Sequence, residues 1–323
     1  MKESLLSNSK QKYWELSQEI ELPIFMQPLW LNITNGNNWD VVLVEKGGRI
    51  IGAMPFTIKK KFLIFNYLGQ PPLTQHLGPW IRPSEGKYAK WISHEKDVLQ
   101  ALIEQLPDFD NYMQNWSYKY QNWLPFYWKG FQQTTKYTYV IENLTNLDEV
   151  FCGFKEKVKT DIRKASGRNK LVIREDTSIE VFFELNKKVF ERQSKKRPYS
   201  DNFLKNLIKT LQNEKKVKWF VAYDEEERPH AGVLIVWDKD TAYYLMGGGD
   251  PKLRNSGATS LCIWEAIKFA STIACKFDFE GSMVESIERF IRGYGATQKQ
   301  YFNVSKTNSK ILNFILTIKS LII

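Results

Sequence analysis

Residues 241–280 read TAYYLMGGGDPKLRNSGATSLCIWEAIKFASTIACKFDFE, and the order of patterns in them decides the fold. Residues 241–246 combine β-branched, aromatic and aliphatic side chains without a polar face, as a buried strand does. The loop GGGDPKLRNSGAT follows, then a helix expected over residues 258–272 and a short apolar strand over 276–279. Strand, loop, helix and strand in this order make one parallel crossover. Upstream, residues 217–223 and 230–237 read as strands, and the short charged turns 224–229 and 238–240 suit antiparallel hairpins. Before them lie a helix from the N-cap Ser178 to about Gln193, with Ile179, Phe182, Phe183, Val189 and Phe190 on one side, and a helix over 201–213. A helix over 284–292 and a strand over 298–304 complete the unit. This is a mixed α/β (α+β) pattern with a mostly antiparallel sheet and one parallel step.

The first half repeats the grammar with weaker signals. A short helix leads to strands over 40–45, 49–59 and 62–68, the first two joined at Lys46-Gly47-Gly48. A Pro-rich stretch, GQPPLTQHLGPWIRPSEG, precedes a helix over 95–106 and strands near 111–118 and 137–142. Two domains are therefore expected, 1–146 and 147–323, each a twisted, mostly antiparallel sheet with flanking helices.

Composition sets the class. The chain has 323 residues, 43% hydrophobic and 25% charged, enough to bury a sizeable core and too apolar for a disordered tail. Cys152, Cys262 and Cys275 are too few and too scattered for a disulfide framework, and each sits among apolar neighbours, so all three are expected as buried small hydrophobes. The first 23 residues lack a signal-peptide apolar core. Residues 311–323 are apolar but interrupted by Asn313, Lys319 and Ser320 and too short to span a bilayer. A cytoplasmic protein with no transmembrane segment is expected. Three separated histidines (His76, His94, His230) offer no metal-ligand spacing, and no metal is expected.

The net charge of +10 is uneven: 15 basic and 13 acidic residues through Asn146, 31 and 23 after it. Residues 155–174 carry eight basic residues against two acidic ones, and residues 187–197 six against one. Such runs attract phosphates, whether of a nucleotide carrier, a nucleic acid or an acidic membrane face; a solvated helix face explains them as well.

The glycine-rich segment carries the sharpest chemistry. Glycines let backbone N–H groups approach a phosphate, and a new helix adds unpaired donors and the positive end of its dipole. Met246, Gly247, Gly248, Arg254, Asn255, Ser256, Gly257, Ala258 and Thr259 are therefore expected to hold an anionic carrier, with the Arg254 guanidinium forking onto phosphate.

Arg254-Asn255-Ser256-Gly257-Ala258-Thr259 resembles the [Q/R]-x-x-G-x-[G/A] pyrophosphate loop of GNAT-type acyl-CoA N-acyltransferases, with Thr259 where that pattern has Gly or Ala. Residues 243–302 are similar to the closing half of FemAB-like proteins. Gly78-Pro79 and the Lys/Arg-rich helix at residues 155–165 resemble further segments of that family. The resemblance implies tandem GNAT-like domains and an N-acyltransferase. It implies no permanently bound cofactor, with acyl-CoA or another acyl carrier as co-substrate and a small-molecule amine, such as an amino sugar or cell-envelope precursor, as acceptor. The family's aminoacyl-tRNA-using members carry a long helical arm. Here residues 193–201 form only a short loop, which argues against nucleic acid without excluding tRNA.

Acyl transfer to an amine needs a base for the attacking nitrogen, N–H donors for the developing oxyanion and an acid for the leaving thiolate. Asp278, Glu280 and Ser282 are expected to alternate on one side of a strand beside the carrier strand. Glu280 or Asp278 is the candidate base, and Tyr294 or Ser282 the candidate acid. Trp116, Trp123 and Trp128 could stack on a sugar or fill the core. The alternative functions are a basic nucleic-acid-binding module or a non-catalytic binding module on the same fold. The former is weakened because the aromatic residues cluster away from the basic runs.

Overall fold

The computed structural model describes residues 7–61, 64–175 and 177–322. In chain order the elements are α1 (Asn8–Glu19), α2 (Pro28–Asn35), β1 (Trp39–Lys46), β2 (Arg49–Lys61), β3 (Phe65–Gly69), β4 (Trp80–Ile81), α3 (Tyr88–Glu104), β5 (Asn111–Asn115), α4 (Leu124–Trp128) and β6 (Gln132–Ile141). Then follow α5 (Leu147–Cys152), α6 (Glu156–Arg163), β7 (Val172–Arg174), α7 (Ile179–Arg192), α8 (Asp201–Asn213), β8 (Val217–Tyr223), β9 (Pro229–Trp237), β10 (Thr241–Gly249), α9 (Ala258–Ala270), β11 (Lys276–Asp278), α10 (Glu285–Ile291), β12 (Thr297–Thr307) and α11 (Lys310–Ile322). The mixed α/β class is as expected.

The chain divides into two compact units, Met1–Lys136 with Gln300–Ile323, and Tyr137–Lys299. The boundary expected after Asn146 falls within the second unit, because the closing strand β12 rejoins the first unit by pairing with β5. The strand expected over 62–68 begins in part outside the described residues.

In the first unit the strands run β1-β2-β3-β5-β12, with β4 beside β2. Among its described strand pairs β3 and β5 run parallel and the others antiparallel. Successive β1 side chains point to opposite faces: Trp39, Val41 and Leu43 pack with Tyr13, Leu16 and Leu31, whereas Val42 packs with Val98, Leu99 and Leu102. Helices therefore cover both faces, which is why β1 reads as a continuous apolar run. Trp116 is fully buried and meets Phe126 edge-on, while Trp128 is exposed. The three tryptophans do not form one stacking wall.

In the second unit the order is β6-β11-β10-β9-β8-β7, antiparallel except for β10 with β11. Ser178 and Ser200 cap α7 and α8, accepting from the Glu180 and Phe203 N–H groups. Helix α9 buries Ala258, Leu261, Cys262, Ala266, Ile267 and Ala270 against Phe220, Val233, Ile235 and Phe277. Of the three cysteines only Cys262 is buried; Cys152 and Cys275 are exposed, since both sit at helix or strand ends where apolar neighbours in sequence point elsewhere.

Two expectations fail here. Strand β10 does not stop at Met246 but runs through the glycine triplet to Gly249. Strand β11 ends at Asp278, and Glu280 and Gly281 both take positive φ, +58° each. The alternation of Asp278, Glu280 and Ser282 on one strand face is therefore broken. A β-carbon on Gly281 would lie 2.1 Å from the Tyr137 carbonyl oxygen, so the chain turns there under close backbone contact.

Candidate functional site

Strand β10 opens on one edge. β11 accompanies it for three positions, Thr241↔Lys276, Ala242↔Phe277 and Tyr243↔Asp278, and then ends. From Tyr244 onward no described strand covers that edge, while the opposite edge stays paired with β9 as far as Gly249↔Ala231. The β9 register shifts between Tyr244 and Met246, a bulge that sharpens the local twist. Backbone N–H and C=O groups are thereby presented on an uncovered edge.

The glycines serve packing before they serve a ligand. Gly248 faces Gly232 across the ladder. A β-carbon on Gly248 would lie 2.5 Å from the Asn186 nitrogen, and one on Gly232 would lie 2.8 Å from Phe182 Cδ2. The pair lets α7 sit directly on the sheet, and Asn186 Nδ2 donates to the Gly247 carbonyl at 2.8 Å. A β-carbon on Gly247 would instead meet Tyr244 Oη at 2.0 Å, so this residue must be bare for the phenol to pass.

The following loop is tied down from beneath. Lys164 Nζ donates to the Asn255 carbonyl at 2.6 Å and Asn169 Nδ2 to the Ser256 carbonyl at 2.8 Å. In a planar trans peptide the N–H points opposite the C=O, so holding the Ser256 carbonyl turns the Gly257 N–H away from Asn169. Gly257 has φ +82°, and a β-carbon there would lie 2.1 Å from the Asp161 carbonyl oxygen of α6. Ala258 N–H reaches Ser256 Oγ at 3.4 Å. The N–H groups of Gly257, Thr259 and Ser260 donate to no group among the described residues, as expected of a helix start awaiting an anion.

A cavity of about 780 Å³ lies against these elements. Gly247, Gly248, Arg254, Ser256, Ala258 and Thr259 line it, as do Tyr244, Arg192, Lys195 and, from the α10 segment, Val284, Ile287 and Phe290. Its three cations face a single acid, Asp250, which already pairs with Lys188 at 2.6 Å. Six of the nine residues expected around the carrier thus meet on one wall. Met246, Asn255 and Gly257 do not line it. Met246 is buried and its sulfur accepts from Tyr199 Oη at 3.3 Å. Asn255 borders a separate hollow of about 460 Å³ with Lys164 and Arg168. Gly257 lies against α6.

The acid–base candidates are more scattered. Asp278 is fully buried; its Oδ1 accepts from Thr138 Oγ1 at 2.5 Å and from the Glu280 N–H at 2.8 Å. Glu280 Oε1 is buried without a hydrogen-bond partner, and burial, reinforced by the Asp278 charge, raises its pKa well above the ordinary carboxylate value. Glu280 does not line the cavity, but its charge acts on Tyr244, which does. Burial first, then Cys262 and Glu280, hold the Tyr244 phenol protonated. Tyr294 is in the core, its hydroxyl donating to Ser260 Oγ at 3.2 Å, with its pKa raised by burial. Ser282 Oγ accepts from the Val284 N–H at 3.0 Å, a turn into α10. Neither reaches the cavity wall. No cluster of His, Cys, Asp and Glu able to hold a metal occurs among the described residues.

Residues 153–282 match the family model of the acetyltransferase (GNAT) domain. No curated protein matches the sequence. Among solved structures, FemX aligns with a TM-score of 0.69 at 13% identity, covering 91% of this chain and 95% of that one. The fold is that of FemAB-like, GNAT-type acyltransferases. L-PGS from Bacillus licheniformis shares it at 11% identity, TM-score 0.55 and 96% of both chains. So does a tandem GNAT protein from the clavulanic acid biosynthesis pathway, at 9% identity, TM-score 0.50, and 83% and 82% of the two chains. Two features of the site escape the sequence. Tyr244 looks like any strand aromatic until the Gly247 contact is seen, and the apolar α10 wall, spaced 284, 287, 290, reads only as helix periodicity.

Proposed function

We propose that the protein is an N-acyltransferase that takes an acyl group from acyl-CoA, or another acyl carrier bearing a pyrophosphate, to a small-molecule amine such as an amino sugar or cell-envelope precursor. The observation that carries this reading is one cavity wall where Arg254 and Thr259, whose N–H is unpaired at the start of α9, adjoin the uncovered edge of β10. The first two suit a pyrophosphate. The third suits an extended thioester arm laid beside the strand, its carbonyl oxygen accepting a strand N–H as charge builds on it.

In the reaction the amine nitrogen attacks the thioester carbon and loses a proton, the tetrahedral intermediate collapses, the C–S bond breaks, and the thiolate takes up a proton. Glu280 is the base we favour, reached from the cavity through Tyr244 or a water beside it. Its raised proton affinity makes it a strong acceptor once ionised. Tyr244, protonated and on the wall, is better placed to protonate the thiolate than Tyr294 or Ser282.

The test is calorimetric titration with acetyl-CoA and longer acyl-CoA esters, followed by release of free thiol with a panel of amino sugars. Binding that weakens in Arg254→Ala, with thiol release dependent on the amine, supports the reading; no heat with any CoA ester overturns the CoA form of it. Residues 193–200 join α7 to α8 directly, so no helical arm for a tRNA is inserted there.

A further inference from the structure

We propose that α11 and the basic end of the first unit's sheet form a docking surface for an anionic phospholipid membrane. Of the eight residues 311–318 only Leu312 is buried. Ile311 and Phe314 are 68% and 67% exposed, and Ile315, Leu316 and Ile318 are also exposed large apolar groups. Isolated surface leucines need no explanation, but five such side chains on one helix do. No described helix is long and apolar enough to cross a membrane, so α11 is suited to lie in the interface rather than span it.

Strand register identifies the occupant by charge. Lys59 pairs with Tyr67, Tyr67 with Asn111, and Asn111 with Thr307, placing all four in one row across the sheet. Beyond that row, at the same end, come Lys60, Lys61, the exposed Ile64 and the start of α11 with Lys310. The Asn308 N–H bonds to the Asp110 carbonyl and the Asn66 N–H to Asp110 Oδ2, which fixes these segments together. Lys59, Lys60 and Lys61 are exposed, and they and Lys310 make no ion pair among the described residues. Asp110, although its Oδ2 accepts the Asn66 N–H, keeps its negative charge, and the exposed Asp108 lies beside it, so four lysines stand against two acids at this end. An apolar helix beside an end where four lysines outnumber two acids complements a bilayer whose headgroups are negative and whose interior is apolar. A second copy of the chain would bring the same positive end against itself.

The proposal rests on the first unit alone and stands or falls separately from acyl transfer. The experiment is sedimentation of the full chain with vesicles of phosphatidylglycerol and phosphatidylcholine, against phosphatidylcholine alone, at low and high salt. The wild type is expected to sediment with the anionic vesicles and to be released by salt. Lys59→Gln/Lys60→Gln/Lys61→Gln should weaken this on the order of a hundred-fold, at roughly a five-fold effect per lysine. Phe314→Ser/Ile318→Ser should weaken binding to a similar order while leaving the circular-dichroism melt unchanged. Absence of wild-type sedimentation with anionic vesicles overturns the proposal, as does binding undiminished in both variants. Concentration-dependent dimerisation lost in Phe314→Ser/Ile318→Ser, without vesicle binding, assigns the face to a second copy and also overturns it.

Discussion

Replacing Glu280 by Gln separates a functional carboxyl from a structural one, because the two roles shift stability in opposite directions. Glu280 Oε1 is buried without a partner and its pKa is raised, first by desolvation and then by Asp278. An acid whose folded-state pKa is raised is fully tolerated below its ordinary value of 4.5. As pH rises above that value, ionisation in the unfolded chain increasingly favours unfolding, and stability falls until the folded-state pKa is passed. At pH 6 the gap from the ordinary value is about 1.5 units, which at about 1.4 kcal/mol per unit sets a ceiling of about 2 kcal/mol. The residue is partly exposed, so about 1 kcal/mol is the working figure. Glu280→Gln removes the ionisation and keeps the shape. Urea denaturation from pH 4 to pH 7 should show the variant and wild type alike at the acid end and the variant more stable by about 1 kcal/mol at pH 6. Amine-dependent thiol release should fall on the order of a hundred-fold, the scale of a lost general base. A stability difference that does not change with pH refutes the burial argument. Turnover equal to wild type refutes the base assignment, whatever the stability shows.

Gly257→Ala must place a β-carbon 2.1 Å from the Asp161 carbonyl oxygen at φ +82°; a loss of about 3 kcal/mol in urea denaturation is expected, since the left-handed conformation alone costs about 1–2 kcal/mol, together with loss of carrier binding by calorimetry. Arg254→Ala, at an exposed position, should leave stability within about 0.5 kcal/mol and weaken acyl-CoA binding about tenfold, with a shallower salt dependence than wild type. Tyr294→Phe removes a buried hydrogen bond to Ser260 and should destabilise by about 1 kcal/mol without lowering turnover; a large loss of kcat would reinstate Tyr294 as the acid in place of Tyr244.

Helices and hairpins of the second unit were legible because the signals are local. Ser178 caps α7 as expected, and residues 201–213 and 217–223 coincide with α8 and β8. The glycine triplet misled because its cause is not local. Gly248 is bare to admit Asn186 and Leu185 of α7, some sixty positions away in the chain, not to make a loop. Glu280 was legible as a residue but not as a geometry. Alternation predicts a strand face, whereas a left-handed pair at Glu280 and Gly281 turns the chain just after Asp278. The carboxyl consequently lies behind Tyr244 in its effect on the cavity, an arrangement no spacing rule contains.

The basic run at residues 155–174 is where sequence and structure differ most in meaning. Read as charge density, it competes as a nucleic-acid surface. In the folded chain much of that charge is already engaged: Lys157 pairs with Asp161, Lys159 with Glu156, Lys170 with Glu225 and Arg174 with Glu227. Exposed pairs of this kind stabilise little, but each neutralises a cation that phosphate binding would need. Lys164 holds the Asn255 carbonyl, and Asp161 supplies the carbonyl against which Gly257 is fitted. On the proposed reading the run acts on an anion at second hand: it fixes the carbonyl side of the loop, and the N–H side and Arg254 are left facing away from it. A surface reading predicts that Lys164→Gln weakens nucleic-acid binding; the geometry predicts instead that it loosens the loop and weakens the acyl carrier, although Lys164 does not line the cavity.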